Sequence, residues 1–373
     1  MVTIQYFLCI LTKIKAMTAS SGCNMLEWIE YHTYLGVDQF FITDDCSPDK
    51  TNLPSILRHY QGRGLVTPLW SSSRNCNSYV PNEGDTYRRM LFPPGGNAMS
   101  KCQWIMNLDY DEYVTFYHQD AGSLQQGSLA RFVNTYPLPF IRLPWWVMGN
   151  YGHEKRPAGM MIDNYLTGAM TKPRYIKTIA RVDDIETFSN PHFPRPRSNI
   201  TSLSLKSMLS DPRLDETHPL LVGVPLHLSV GRFVEWNTLH DAERKLIAFA
   251  QRDSKSRAVV ASWSREKKVK VMVPGTALFI KHFKHLSWEE YLLQRASTPT
   301  LPNGRINYWG GKDARTTWEK GNNSQIFLVA TGGKGKESGG NYFDINIAES
   351  FTANMSHQLS KIIAEKKLLF ASC

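Results

Sequence analysis

Over residues 2–113, short apolar runs alternate with segments of helical periodicity, and that rhythm leaves few folds open. "YFLCIL" (Tyr6–Leu11) anchors a first strand, expected over residues 2–12. "SSGCNMLEWIEYHTYLG" follows. There Met25, Trp28, Ile29, His32 and Leu35 keep helical spacing, Ser20, Ser21 and Asn24 are N-cap candidates, and Gly36 sits where a helix-ending glycine belongs. "VDQFFIT" (Val37–Thr43) predicts a second strand, "NLPSILRHYQGRG" a second helix and "GLVTPLW" a third strand. Residues 71–98 read as loop, and Ala98–Gln103 as the close of a helix. "QWIMNLDYDEYV" reads as a strand running into acids. Such alternation implies an α/β fold, a mainly parallel sheet with helices on both faces. Ligands in such sheets sit beyond the carboxyl ends of the strands.

The second half is less regular. "FIRLPWWVMGNYGHEKRPAGMM" is rich in aromatics, Gly and Pro, and "RYIKTIARVDDIETFSNPHF" alternates like strands. "LHDAERKLIAFAQRDSK", "SWEEYLLQRAS" and a closing "MSHQLSKIIAEKKLLF" predict helices, with a Gly-rich loop over residues 321–341. The chain has 373 residues, 42% of them hydrophobic and 12% aromatic, which suits a packed core. No apolar run approaches the roughly 18–20 residues that span a bilayer. Lys13 and Lys15 follow the first apolar run where a secretory leader would place them before it, so no signal or anchor is expected in these residues. The net charge of +10 fits either a plain basic surface or an anionic ligand such as a sugar nucleotide. Basic residues are scattered, without a long tail of interleaved aromatics, and this disfavours nucleic acid. The six cysteines form no C-x-x-C pair, which argues against zinc, and their even number permits disulfides. Asn199, Asn322 and Asn354 open glycosylation triplets, which arise often by chance.

Two acidic turns carry the chemistry. In "NLDYDEY" (Asn107–Tyr113), Asp109 and Asp111 form D-x-D, which alternating strand geometry would place on one face. Paired carboxylates there suit Mg²⁺ or Mn²⁺, which also bridges a diphosphate. The competing reading is a solvated loop. Asp44-Asp45-Cys46-Ser47-Pro48-Asp49 likewise follows an apolar strand. It fits either a hydrogen-bonded turn with helix caps or an acceptor for uracil and ribose groups. A nucleotidyl or phosphoryl transferase would also use paired carboxylates, but the chain lacks the G-x-x-x-x-G-K-[ST] phosphate loop.

"NMLEWIEYHTYLGVDQFFITDDCSPDKT" (Asn24–Thr51) resembles the opening of glycosyltransferase family 92, related to the family 2 superfamily. Four further segments resemble that family in order: "WIMNLDYDEYV", "WWVMGNYGHEKRPAG", "YIKTIARVDDIETFSNPH" and "IKHFKHLSWEEYLLQ". The family's Lys-Asn-Glu turn after strand one is replaced by the longer Lys13–Asn24 stretch, and little matches after about residue 300. The resemblance implies a GT-A domain over residues 1–300, a Rossmann-like α/β fold with a mixed central sheet flanked by helices. Its nucleotide-binding half would cover about 1–115 and its acceptor half about 116–300, followed by an extension over 301–373. It implies an inverting hexosyltransferase that uses Mn²⁺ or Mg²⁺ to move a sugar, often galactose, from a UDP-sugar to a glycan or glycoconjugate. A catalytically inactive glycan- or partner-binding relative is the alternative. Family members are often Golgi membrane proteins.

By the same resemblance, Asp44 and Asp45 would contact the nucleoside, and Asp109 and Asp111 the metal and diphosphate. Glu112 would support those ligands from behind or serve as a buried partner. Lys177 would contact phosphate or be an exposed strand lysine. His282, then His192, would reach the metal, or each would be a core or capping histidine. Asp163 would be the base that activates the acceptor hydroxyl, with Glu289 and Glu290 as alternatives. Trp145, Trp146 and Tyr151 would stack on sugars or fill the core.

Overall fold

The computed structural model describes residues 5–14, 19–44, 52–68, 101–116, 125–135, 140–150, 152–165, 168–170, 176–188, 192, 194–196, 220–221, 230–235, 270–274, 278–284, 286–296, 318, 343–344 and 357–368. Asp45, Trp146's side chain, Tyr151, the loop 71–98, the helix expected over 239–255, the Gly-rich loop and the three glycosylation triplets lie outside this description.

Strand β1 (Tyr6–Ile14) leads into helix α1 (Ala19–Tyr34), β2 (Gln39–Asp44), α2 (Leu53–Gly62) and β3 (Val66–Pro68). β4 (Cys102–Asn107) returns to the other side of β1, so β2 and β4 flank it, and both run parallel to it. The residues from Cys102 are strand, where the close of a helix was expected. None of Ser20, Ser21 and Asn24 is a cap either: α1 begins at Ala19, and Asn24 is buried inside it.

After β4 the strands turn antiparallel. β5 (Glu112–Phe116), helix α3 (Ser128–Thr135), β6 (Phe140–Met148), the short helix α4 (Met161–Asn164), β7 (Gly168–Met170) and β8 (Ile176–Arg181) follow. β8 lies antiparallel between β4 and β6. β9 (Ile185–Phe188) and β10 (Pro194–Pro196) pair with each other, and β11 (Leu220–Leu221), β12 (Val230–Glu235) and β13 (Lys270–Pro274) form a three-stranded sheet. Late in the chain, β14 (Leu278–His282) pairs antiparallel with β5 and parallel with β6. It is followed by helix α5 (Trp288–Ala296), and a closing helix α6 (His357–Lys367) packs on α1. The sheet is therefore mixed, parallel only where β-α-β crossovers demand it. Mixed sheet and packed helices are the α/β architecture expected.

Helix α1 is buried on nearly every side. Trp28 packs on Phe40 of β2 with ring centroids 5.5 Å apart. His32 sits fully buried against Trp28 and Tyr31. It accepts the Val114 N–H at Nε2, so its Nδ1–H donates to the Trp28 carbonyl, and burial pushes its pKa down to about 3. Glu30 is held by the Tyr60 hydroxyl at 2.6 Å and by Lys366 of α6 at 3.1 Å. Gly36 ends the helix at φ 102°, and a Cβ there would stand 2.7 Å from Ala130 Cβ in α3. Only glycine meets both demands. The three described cysteines, Cys9, Cys23 and Cys102, are all in disulfides, with Cys9 bonded to Cys102.

Candidate functional site

The acidic residues do not continue β4 as a strand. The chain turns over residues 108–111, and the Glu112 N–H donates to the Asp109 carbonyl at 3.0 Å. Three like charges in four residues favour a turn at the sheet rim over a buried strand, where each carboxylate would need its own partner. The turn is pinned from three sides. Leu108 N–H donates to the Leu11 carbonyl (3.0 Å), Phe283 N–H to the Asp111 carbonyl (2.8 Å), and the Trp28 indole to the Glu112 carbonyl (2.7 Å). β1, β14 and α1 together fix its backbone.

The antiparallel strands deliver the side chains. β8 pairs Met106 with Ile179, so Lys177, two residues earlier, arrives beside the turn just beyond β4. Lys177 is 0% exposed, and its ammonium lies 3.1 Å from both Asp109 Oδ2 and Glu112 Oε2. The exposed strand lysine expected from sequence is therefore replaced by a buried ion pair. Glu112, also 0% exposed, is buried and in contact with Asp109, which fits either role considered for it. Its Oε2 further accepts the Asp109 N–H at 2.8 Å. Burial pushes the Glu112 carboxyl well above its usual range against the pull of Lys177. For Asp109, burial works upward, but Lys177, His282 and His192 together hold it below its usual value.

β14 runs antiparallel to β5 with His282 opposite Glu112. His282 Nε2 stands 3.6 Å from Asp111 Oδ2, and its buried Nδ1 has no hydrogen-bond partner among the described residues. Trp145 of β6 packs against the His282 ring at 4.4 Å and the His192 ring at 5.3 Å. His192 is placed by the Thr178 hydroxyl, which donates to its carbonyl at 2.8 Å. Residues from distant segments thus converge: Trp145 packs on His192 and His282, His282 faces Asp111, and both histidines act electrostatically on Asp109. Asp44, which closes β2, lies on the same carboxyl rim across β1 from this turn, roughly 10 Å away at two strand spacings.

The candidate bases lie on α4 and in the first turn of α5. Asp163 is exposed on α4, whose first amides, Met161 and Ile162, donate to the buried Glu27 carboxylate at 2.9 and 3.1 Å. Glu290 accepts the Ser287 hydroxyl at 2.8 Å and the Tyr165 hydroxyl at 3.3 Å, and Arg156 stands 3.7 Å away. Glu289 is exposed and accepts the Arg156 backbone N–H at 3.5 Å. Sequence reasoning singled out neither Glu27 nor Lys284 for the site. Burial pushes the Lys284 ammonium down to about 8, with Asp111 pulling it up. Its position two residues past His282, where β14 has ended at the acidic turn, was the available signal.

Two carboxylates and two imidazoles are donor types that a divalent cation accepts, with His282 Nε2 on the Asp111 side. Among the described residues, no group of three or more His, Cys, Asp or Glu already stands at ligand spacing. Mg²⁺-type sites commonly use one or two carboxylates and complete their coordination with substrate phosphates and water.

Residues 15–198 match the family model described as glycosyltransferase family 92. That match, just under half of the chain, takes in α1, the acidic turn, Lys177 and His192, while His282 comes from beyond it. A family 92 protein of Ricinus communis is 23% identical over 175 residues, 47% of this chain and 29% of that protein. One of Arabidopsis thaliana is 25% identical over 134 residues, 36% of this chain and 21% of that protein. The chain thus spans under a third of the length of these relatives. Among solved structures, TarS of S. aureus, residues 1–349, is similar over 47% of each chain at 12% identity with a TM-score of 0.26. An active-site mutant of LgtC is similar over 47% of this chain and 57% of its own, at 12% identity and a TM-score of 0.23.

Proposed function

We propose that this chain is a metal-dependent, inverting glycosyltransferase of GT-A type that moves a hexose, with galactose favoured, from a UDP-sugar to a glycan or glycoconjugate hydroxyl. The observation that carries the reading is the convergence of Asp109, Asp111, His282 and His192 on the carboxyl rim that also bears Asp44, in a chain that matches the family 92 model over residues 15–198. In this assignment Asp44 and Asp45 take the nucleoside. Asp109, Asp111 and His282 hold a Mn²⁺ or Mg²⁺ ion, with His192 beside them. A bound ion would offset the negative charge that builds on the departing diphosphate. Lys284, partly buried beside Asp111, adds a basic group on the same side. Trp145 packs against both histidine rings.

Asp163 is the carboxylate assigned to take the proton from the acceptor hydroxyl. Among the three candidates, Glu290 is engaged by Ser287 and Tyr165, and Glu289 reaches back to Arg156. Asp163 is exposed on the helix that Glu27 caps, and its neighbours Met161 and Asn164 line a recess about the size of one water, together with Arg156 and Glu290. An oxidising compartment, of which the Golgi is one, suits the disulfide-bonded cysteines. No helix among the described residues is long and apolar enough to cross a membrane.

The test is UDP release from a panel of UDP-sugars, with and without Mn²⁺ and glycan acceptors. Mn²⁺-dependent release is expected, with a loss of about 100-fold or more in Asp111→Asn, a magnitude common when one charge-stabilising group is removed. Mn²⁺-dependent UDP binding without turnover would favour the inactive glycan-binding relative. No UDP binding at all would end the proposal.

A further inference from the structure

We infer that Lys177 is a positioning residue that aims the Asp109 carboxylate at the cation, an inference that rests on the metal-dependent reading above. The ammonium closes a ring of contacts on one residue. Glu112 Oε2 accepts the Asp109 N–H at 2.8 Å and lies 3.1 Å from Lys177 Nζ, which is itself 3.1 Å from Asp109 Oδ2. Backbone and side chain of Asp109 are thus tied to the same buried pair, and this fixes its rotamer. Asp109 Oδ1 has no hydrogen-bond partner among the described residues, and 40% of the side chain is exposed. One carboxylate oxygen is therefore anchored inward, and the other is left to the rim.

Lys177 cannot itself meet a ligand from this position. It is fully buried behind Asp109, and the Trp145 ring covers it with its centroid 5.8 Å from Nζ. Nor does net stability explain a lysine here. A buried ion pair seldom outperforms well-packed apolar residues of similar size, because desolvation offsets the attraction. What the ring achieves is geometric precision at a ligand, a function for which outer hydrogen-bonded partners are known to be costly to remove.

The sign of one substitution separates this role from electrostatics. Deleting a positive charge beside a cation site strengthens cation binding by Coulomb's law alone. A lost positioning contact weakens it. The experiment titrates Mn²⁺ alone into the full chain by electron paramagnetic resonance, for the wild type, Lys177→Met and Lys177→Arg, with thermal unfolding of each as the folding control. Lys177→Met is expected to bind Mn²⁺ at least tenfold more weakly than wild type. Lys177→Arg keeps the buried charge, protects against misfolding of the apolar variant, and is expected to bind several-fold more weakly because its longer fork displaces Asp109. Wild-type affinity, or tighter binding, in the folded variants overturns the positioning role and leaves the metal site standing. A wild type that binds no Mn²⁺ overturns the metal reading and this inference with it.

Discussion

Two buried lysines sit in the two halves of this sheet, and their surroundings differ. Lys177 on β8 is 0% exposed and meets two carboxylates at 3.1 Å. Lys281 on β14 is 2% exposed, between Tyr113 of β5 and Trp146 of β6 in register, and has no carboxylate within ion-pair distance among the described residues. Burial pushes its ammonium down to about 8, with only Asp163 pulling it upward. The same side chain is locked into an ion-pair ring in one place and left nearly uncompensated in the other. Burial alone does not make a lysine functional; what faces it does.

The largest expected effect is Lys177→Met, which strands Glu112 as a buried carboxylate. It should cost about 3–5 kcal/mol in urea unfolding, as breaking buried pairs does. Lys281→Met should act in the opposite direction. A pKa near 8 against about 10.4 unfolded corresponds to up to about 3 kcal/mol of destabilisation at pH 7. Between those values the unfolded chain holds the proton that the folded chain has released, so wild-type stability rises with pH across that window. The gain from Lys281→Met should therefore be full below pH about 8 and vanish above about 10.5, as thermal melts across that range would show. If Lys281→Met destabilises at pH 7 as Lys177→Met does, the contrast between the two sites fails. The smallest effect concerns α5. Ser287→Ala removes the hydroxyl that accepts the Glu290 N–H at 3.3 Å and should cost about 1 kcal/mol of stability by chemical denaturation.

The rim itself was legible in the sequence. Apolar runs ending in Asp44 and in Asp109–Glu112 mark strand ends wherever a β-α-β rhythm holds, and the three parallel strands set both turns on one edge. The side chains that answer those acids were less legible. Lys177 pairs with Asp109 across 68 residues, and only the antiparallel register of β8 beside β4 brings it there. Nothing in local periodicity distinguishes that strand lysine from an exposed one. His282 depends on β14 crossing between β5 and β6, a pairing set by tertiary packing. Glu290 shows a different gap. Ser287-Trp288-Glu289-Glu290 is a capping-box pattern, and its geometry here is that of a cap, which local sequence could have indicated.

The most direct measurement is UDP affinity by calorimetry, with and without Mn²⁺, for the wild type and Asp111→Asn. Mn²⁺ should tighten UDP binding at least tenfold in the wild type and have no such effect in Asp111→Asn. Equal affinity with and without the ion, or an undiminished gain in the variant, would contradict a cation held at the 109–112 turn.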